Sequence, residues 1–158
     1  MSARPVEAGL RRGDPGFRRI SVGLFFAGFT TFALLYATQP LLPQLVDVFA
    51  VSPGTASLSV SVTTGGLAIA VIPASALSER WGRRPVMLWS LLGAVVFGLA
   101  AAVAPSFGLL LVLRGLEGLA LAGLPAVGMA YLADEIDDGH LGGAMGLYIA
   151  GNSVGGFG

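Results

Sequence analysis

Long apolar stretches that are almost free of charge constrain the fold of this chain more than any other feature. A helix needs about 20 consecutive, mostly apolar residues to cross the hydrocarbon core of a bilayer. Four stretches qualify, 20–38, 56–77, 86–104 and 108–132, and a fifth at 141–158 is interrupted by the end of the sequence. Because 54% of the residues are hydrophobic and only 11% are charged, against about a quarter charged in soluble proteins, the sequence predicts an all-α integral membrane protein.

The second stretch contains a local pattern that is typical of a β-strand. From Leu58 to Thr63, apolar and polar residues alternate, which is the period of a half-buried strand. An isolated strand has no partner for its backbone hydrogen bonds in lipid, so we predict a helix instead. Ser52 followed by Pro53 suits the N-cap and first turn of that helix.

Small residues recur along the second and fifth stretches. They form the sets Ser57, Ser61 and Gly65; Gly142, Gly146 and Ala150; and Gly151 with Gly155. Small residues spaced four apart share one helix face and let a neighbouring helix approach closely in a membrane. We interpret these sets as packing surfaces rather than as contacts to a substrate.

Residues 1–19 form a polar, arginine-rich arm without apolar periodicity, and we predict that this arm is disordered. A cleaved signal peptide is the alternative, since basic residues precede an apolar segment. That segment is longer than the roughly 7 to 15 apolar residues of a signal peptide, which favours the first transmembrane span.

Basic residues are distributed unevenly along the chain. Five of the nine precede the first stretch and three lie between the second and third, whereas the predicted loops 39–55 and 105–107 contain none. Because cytoplasmic loops of membrane proteins carry an excess of Lys and Arg, we predict a cytoplasmic N-terminus and a cytoplasmic loop at 78–85. The predicted location is the cell (cytoplasmic or inner) membrane, which the chain crosses several times.

Two ionisable residues, Arg114 and Glu117, lie one turn apart inside the fourth stretch. At 1.5 Å per residue they are about 9 and 13.5 Å from Gly108, well inside the hydrocarbon layer. Each costs about 2.5 to 3.5 kcal/mol there, so both should face the bundle interior and find a partner. Two interpretations remain open: a structural ion pair, or part of an ion or proton route. In the same helix Pro125 lacks an amide hydrogen and is a candidate for a bend.

Several classes of function are excluded by composition. The chain has no cysteine and only His140, so it offers no thiol nucleophile and no cluster of metal ligands. The formal net charge of zero gives no electrostatic basis for binding nucleic acid. The acidic residues near His140 are predicted to lie in a solvated loop; they are Asp134, Glu135, Asp137 and Asp138. We therefore predict no metal, no cofactor and no enzymatic activity.

The loop after the second stretch resembles the cytoplasmic motif of the major facilitator superfamily, Gly-x-Leu-Ala-Asp-Arg-x-Gly-Arg-Arg/Lys. The positions that match are Leu77, Arg80, Gly82, Arg83 and Arg84. Ser75 replaces the glycine of the pattern, and Glu79 replaces the aspartate while keeping the charge. The resemblance implies that these residues, including Glu79, form a cytoplasmic gate that exchanges contacts with the other half of the transporter.

The fourth stretch resembles the arginine-containing motif of the family's fourth helix. Arg114 and Gly118 match, and Glu117 is additional to the Gln-like position that is usual in this motif. The resemblance implies that Arg114 takes part in proton coupling, with Glu117 as a titrating partner.

The fifth stretch resembles the family's antiporter motif Gly-Pro-x-x-Gly-Gly. Gly151, Gly155 and Gly156 match, and Asn152 replaces the proline. Within the family the resemblance is greatest to bacterial proton-coupled efflux permeases of the arabinose-efflux and acriflavine-resistance kind.

This resemblance implies the first four helices and part of the fifth of a twelve-helix major facilitator fold. The chain would be an N-terminal fragment whose main partners are the lipid bilayer and the missing C-terminal half of the same protein. The implied function is proton-coupled export of a small molecule, a drug or metabolite, by alternating access. A non-transporting membrane scaffold or assembly subunit is the alternative.

Overall fold

The computed structural model describes residues 9–157, which form a bundle of α-helices. In chain order they are α1 (Pro15–Tyr36), α2 (Leu42–Phe49), α3 (Pro53–Ala56), α4 (Leu58–Trp81), α5 (Arg83–Ala102), α6 (Phe107–Leu121), α7 (Gly123–Glu135) and α8 (Asp138–Gly156). Four segments are long and apolar enough to cross a membrane, namely Pro15–Tyr36, Pro53–Trp81, Arg83–Ala102 and Phe107–Glu135. The prediction of an all-α, multi-pass membrane protein is confirmed.

The first helix begins earlier than the sequence analysis predicted. α1 starts at Pro15, five residues before the predicted span, because the fixed φ of proline suits the first helical turn. Just before it, the backbone of Leu10 forms a bridge to Ile136, with Leu10 N donating to Glu135 O at 2.9 Å. The structure therefore departs from the predicted disordered arm over residues 9–19; residues 1–8 of that arm lie outside the described range.

The strand-like pattern in the second stretch adopts a helix, as predicted. Ser52 caps the first turn, its Oγ accepting a hydrogen bond from Thr55 N at 3.1 Å, and Pro53 follows as the first helical residue. A turn at Ser57 separates this short helix from α4. Several hydroxyls of α4 donate to carbonyls of the preceding turn, as Thr63 Oγ1 does to Ser59 O at 2.8 Å. These bonds satisfy polar side chains within an apolar helix.

The fourth stretch is interrupted, so that α6 ends at Leu121 and α7 begins at Gly123. Pro125 explains the interruption, because a proline at this position cannot donate the hydrogen bond that Leu121 O would otherwise accept. The helical bonds resume with Ala126 N donating to Ala122 O at 3.2 Å. The interruption at Ala122 thus lies just before Pro125, in the turn where a proline disturbs a helix.

Close helix packing depends on glycines at two crossings. α8 packs along α1, where a Cβ on Gly151 or Gly155 would overlap the backbone of Phe25 or Phe29 respectively. α6 packs against α4, where Gly118 lies against the backbone of Thr63. The predicted packing role of Gly151 and Gly155 is confirmed, since no larger residue fits at these contacts.

The other predicted small-residue stripes lie on different faces from the ones that pack. Gly142 and Gly146 are exposed, and a Cβ added to either would meet no atom within 4 Å among the described residues. In α4 the buried face carries Ser59 and Thr63, while Ser61 is exposed. The spacing of small residues was therefore correctly read as helical, but spacing alone does not tell which face meets a neighbour.

A Gly155→Ala substitution is expected to destabilise the bundle by about 1 to 3 kcal/mol, because the new methyl group overlaps the backbone of α1. Gly146→Ala is the matched control, since it lies on the same helix in open space and alanine has the higher helix propensity. Thermal unfolding of the purified full-length protein in detergent compares the two variants. Equal melting temperatures for both would contradict the packing described for α1 and α8.

Candidate functional site

Arg114 and Glu117 form an ion pair in the interior of the bundle. Both project from one face of α6, and the two residues are 2% and 0% exposed. Arg114 NH1 donates to Glu117 Oε2 at 2.7 Å. The prediction that two charges in this helix face inward and pair is thus confirmed by their geometry, while their role in coupling stays a proposal.

The remaining donors of Arg114 bind backbone carbonyls from two other helices. NH2 donates to Leu35 O at 2.8 Å and NH1 to Leu34 O at 3.0 Å, both in the last turn of α1. Nε makes a longer contact of 3.5 Å to Ser59 O near the start of α4. Carbonyls at a helix C-terminus lack partners within the helix and carry partial negative charge, so a guanidinium is well placed there. Arg114 thereby ties α6 to α1 and α4.

Glu117 is less completely satisfied than its partner. Its Oε2 pairs with Arg114, but Oε1 is buried and has no hydrogen-bond partner within the described residues. A Cβ added to Gly98 of α5 would lie 2.9 Å from Oε1, so glycine leaves space for the carboxylate. A buried acceptor without a partner is costly. Oε1 of Glu117 is therefore an acceptor of this centre that has room for a further hydrogen bond.

A cavity of about 360 Å³ adjoins this ion pair on the side of the α1–α2 connection. The end of α1, the helix α2, the last turns of α5 and the start of α6 form its walls. Its polar lining residues are Thr38, Gln44, Arg114 and Glu117. The Oγ1 of Thr38 is also buried without a partner within the described residues. The sequence analysis missed both the cavity and α2, because an eight-residue helix in a predicted loop gives a weak signal.

The residues of the predicted gate motif differ in their surroundings, since Arg83 is bound to α7 and most of the others are exposed. Arg83 NH1 forms an ion pair with Asp134 Oδ2 at 2.7 Å and also donates to Ala130 O in α7. Gly82 joins α4 to α5 with φ of 90°, a conformation that favours glycine. The other motif residues are exposed: Leu77, Glu79, Arg80 and Arg84. The prediction of a solvated loop is wrong for Asp134 in one respect, because this residue lies in α7, where its exposed side chain reaches Arg83.

The contact between Arg83 and Asp134 is expected to be worth about 0.2 to 1 kcal/mol, since both side chains are partly exposed. A double-mutant cycle with Arg83→Ala and Asp134→Asn, read by thermal unfolding of the full-length protein, measures this coupling. Arg84→Ala serves as the control, since exposed Arg84 forms no ion pair within the described residues. Strict additivity of the Arg83 and Asp134 effects would show that the pair is not formed.

The helix-5 motif lies where α8 meets α1. Gly151 and Gly155 are buried against α1, whereas Gly156 is near the rings of Tyr36 and Phe32. α8 continues through Asn152 without interruption, as expected for a residue that retains its amide hydrogen where the antiporter motif has proline. The Oδ1 of Asn152 is buried without a partner within residues 9–157. The motif is therefore a packing surface in this structure.

Taken together, the fold and the buried charges define a multi-pass membrane helix bundle with an ion pair at its centre. The family model of the Major Facilitator Superfamily matches residues 24–157. The chain belongs to this family, which is one of transporters rather than of enzymes.

Similar proteins come from bacteria and fungi. The MFS-type transporter YybF of Bacillus subtilis is 54% identical over 92% of this chain and 36% of its own length. The inner membrane transport protein YnfM of Escherichia coli is 45% identical over 93% of this chain and 35% of its own length. The MFS antiporter QDR3 of Candida albicans is 34% identical over 85% of this chain and 20% of its own length. The chain thus spans about a third of its bacterial relatives. No solved structure matches it.

Proposed function

We propose that the chain is part of a secondary active transporter, in which it contributes helices of the N-terminal half. Its family membership and the transporter names of its relatives support this proposal. We further propose that the protein exports a small molecule, a drug or metabolite, in exchange for protons by alternating access. The name of the fungal relative, an antiporter, is consistent with exchange.

The observation that carries the coupling proposal is the buried pair of Arg114 and Glu117. When Glu117 is ionised, the pair is neutral overall and holds α6 against the end of α1. When Glu117 binds a proton, Arg114 keeps its contacts to Leu34 O and Leu35 O, while the attraction between the two side chains weakens. Proton binding would thus loosen the pair within α6 and leave the guanidinium held by the end of α1, so the charge of this buried centre changes while its position is kept.

We propose that the exposed part of the gate motif contacts the other half of the transporter on the cytoplasmic side. Glu79, Arg80 and Arg84 are all exposed at the α4–α5 connection, which suits a reversible contact. Arg83 has a different task, since it is bound to Asp134 of the same half. The proposed orientation has the N-terminus and this connection in the cytoplasm, with the protein in the cell (inner) membrane, in agreement with the positive-inside rule.

Transport by the full-length protein in proteoliposomes tests this proposal. A panel of cationic dyes and small metabolites is loaded on one side, a pH gradient is imposed, and proton movement is followed with a trapped pH indicator. We expect at least one compound to accumulate against its gradient while protons move the other way. A membrane scaffold, the alternative function, would show no proton-coupled movement for any compound and would instead co-purify with a partner.

A further inference from the structure

We propose that the cavity beside α2 is an aqueous vestibule through which protons from the outer side reach the Glu117 carboxylate. This inference rests on the proposed proton-coupled function and adds the route by which the proton arrives. The ligand is water or hydronium. The cavity and the unpartnered, fully buried oxygen of Glu117 are independent observations that point to it.

The geometry of the cavity suits water. About 360 Å³ has room for several water molecules, since each takes about 30 Å³ in the liquid. A buried water also needs two to four polar partners, roughly, and three are available: Thr38 Oγ1, Glu117 Oε1 and the amide of Gln44. Two of these atoms have no partner within the described residues. Water in the cavity would satisfy both of them.

The charge distribution around the cavity suits a proton rather than another ion. Arg114 and Glu117 are the ionisable residues in its lining. Among the described residues, the groups that pack around this pair from α1, α4 and α5 are uncharged: the carbonyls of Leu34 and Leu35, Ser59 O and Gly98. A metal cation would find one carboxylate in the lining, already paired with a guanidinium, and an anion would find that guanidinium already occupied. A proton needs only one binding atom, and a carboxylate oxygen of Glu117 supplies it.

The helix α2 forms the cover of the vestibule. It buries none of its own residues, so few packing contacts hold it and local opening is cheap. One contact at its end anchors it, because the ring of Phe49 lies 5.8 Å from that of Phe107 at the start of α6. Ala50 then ends α2 in a left-handed conformation with φ of 50°. Because α2 is held at one end and packs weakly elsewhere, it can move enough to admit water to the cavity.

Cysteine labelling tests the route in the full-length protein with all other cysteines replaced. Ala101 lines the cavity and Ala94 lies two turns away on the same helix, fully buried, so Ala101→Cys and Ala94→Cys are matched variants. The impermeant reagent 2-(trimethylammonium)ethyl methanethiosulfonate is added outside. We expect at least about tenfold faster labelling of the Ala101→Cys variant, because a packed thiol is inert. Thr38→Cys, at a buried position that lines the same cavity, replaces it if the first variant does not fold.

Proton uptake after an external acid pulse supplies the second measurement. Labelling of the Ala101→Cys variant should reduce the part of the uptake that Glu117→Gln abolishes. If the cysteine resists labelling from outside, or if labelling leaves this uptake unchanged, the vestibule is wrong although the coupling role of Glu117 stands. If Glu117→Gln itself retains full uptake, the proposed coupling fails, and that result is separate from the labelling rate.

Discussion

Replacing Arg114 with alanine is expected to destabilise the helix bundle by about 3 to 5 kcal/mol, because removing one partner of a buried ion pair leaves the other charge uncompensated. Glu117 would then be buried as a carboxylate with neither oxygen paired within the described residues. The last turn of α1 and the first turn of α4 would also lose the guanidinium that donates hydrogen bonds to them from α6. Thermal unfolding of the purified protein measures the loss.

The double variant Arg114→Ala with Glu117→Gln is the control for this prediction. It removes the guanidinium and also the buried negative charge, so it should recover a substantial part of the stability lost by Arg114→Ala alone. If the double variant is as unstable as the sum of the two single variants, the two residues act independently. That outcome would contradict the pairing on which the coupling proposal depends.

Glu117→Gln is expected to abolish the accumulation of substrate driven by a pH gradient while leaving binding and downhill exchange in place. Glutamine has nearly the same shape and its side-chain oxygen can still accept from Arg114, but it cannot bind or release a proton at physiological pH. The measurement compares accumulation with exchange in the same proteoliposomes. Glu79→Gln is the control, since Glu79 is exposed at the connection between α4 and α5 and its carboxylate is not expected to carry the coupled proton.

Full accumulation by the Glu117→Gln variant would show that the coupled proton binds elsewhere. Loss of both accumulation and exchange would point to a structural role, in which the ion pair merely holds α6 in place. The two interpretations that the sequence left open thus predict different results for one conservative substitution.

Much of the fold could be predicted from the sequence, because hydropathy alone marks segments that must cross a membrane. The same reasoning could not find α2, whose eight residues are too few to span the membrane or to show a clear period. Nor could it tell which face of α4 is buried: Ser57, Ser61 and Gly65 have the right spacing, yet Ser59 and Thr63 face the interior. The buried face of a helix is determined by the helices that pack against it, and a single sequence does not specify these neighbours.

The ion pair of the candidate site could be predicted from the sequence, whereas the groups that surround this pair could not. Arg114 and Glu117 are three residues apart, so helical geometry alone brings them together. The carbonyl of Leu34 is 80 residues from Arg114 in sequence, and only the folded bundle places it there. Likewise, the contact between Arg83 and Asp134 links two helix ends. Tertiary packing brings these two helix ends together. The positions of the charges in the sequence do not specify which of them pair.

Direct observation of proton binding at Glu117 tests the central claim most sharply. Infrared difference spectroscopy of the full-length protein in lipid, recorded as the outer pH is cycled, detects the carbonyl band of a protonated carboxyl group. We expect a reversible band in the native protein that is missing in Glu117→Gln and kept in Glu79→Gln. Identical spectra for the native protein and Glu117→Gln across the whole pH range would contradict it.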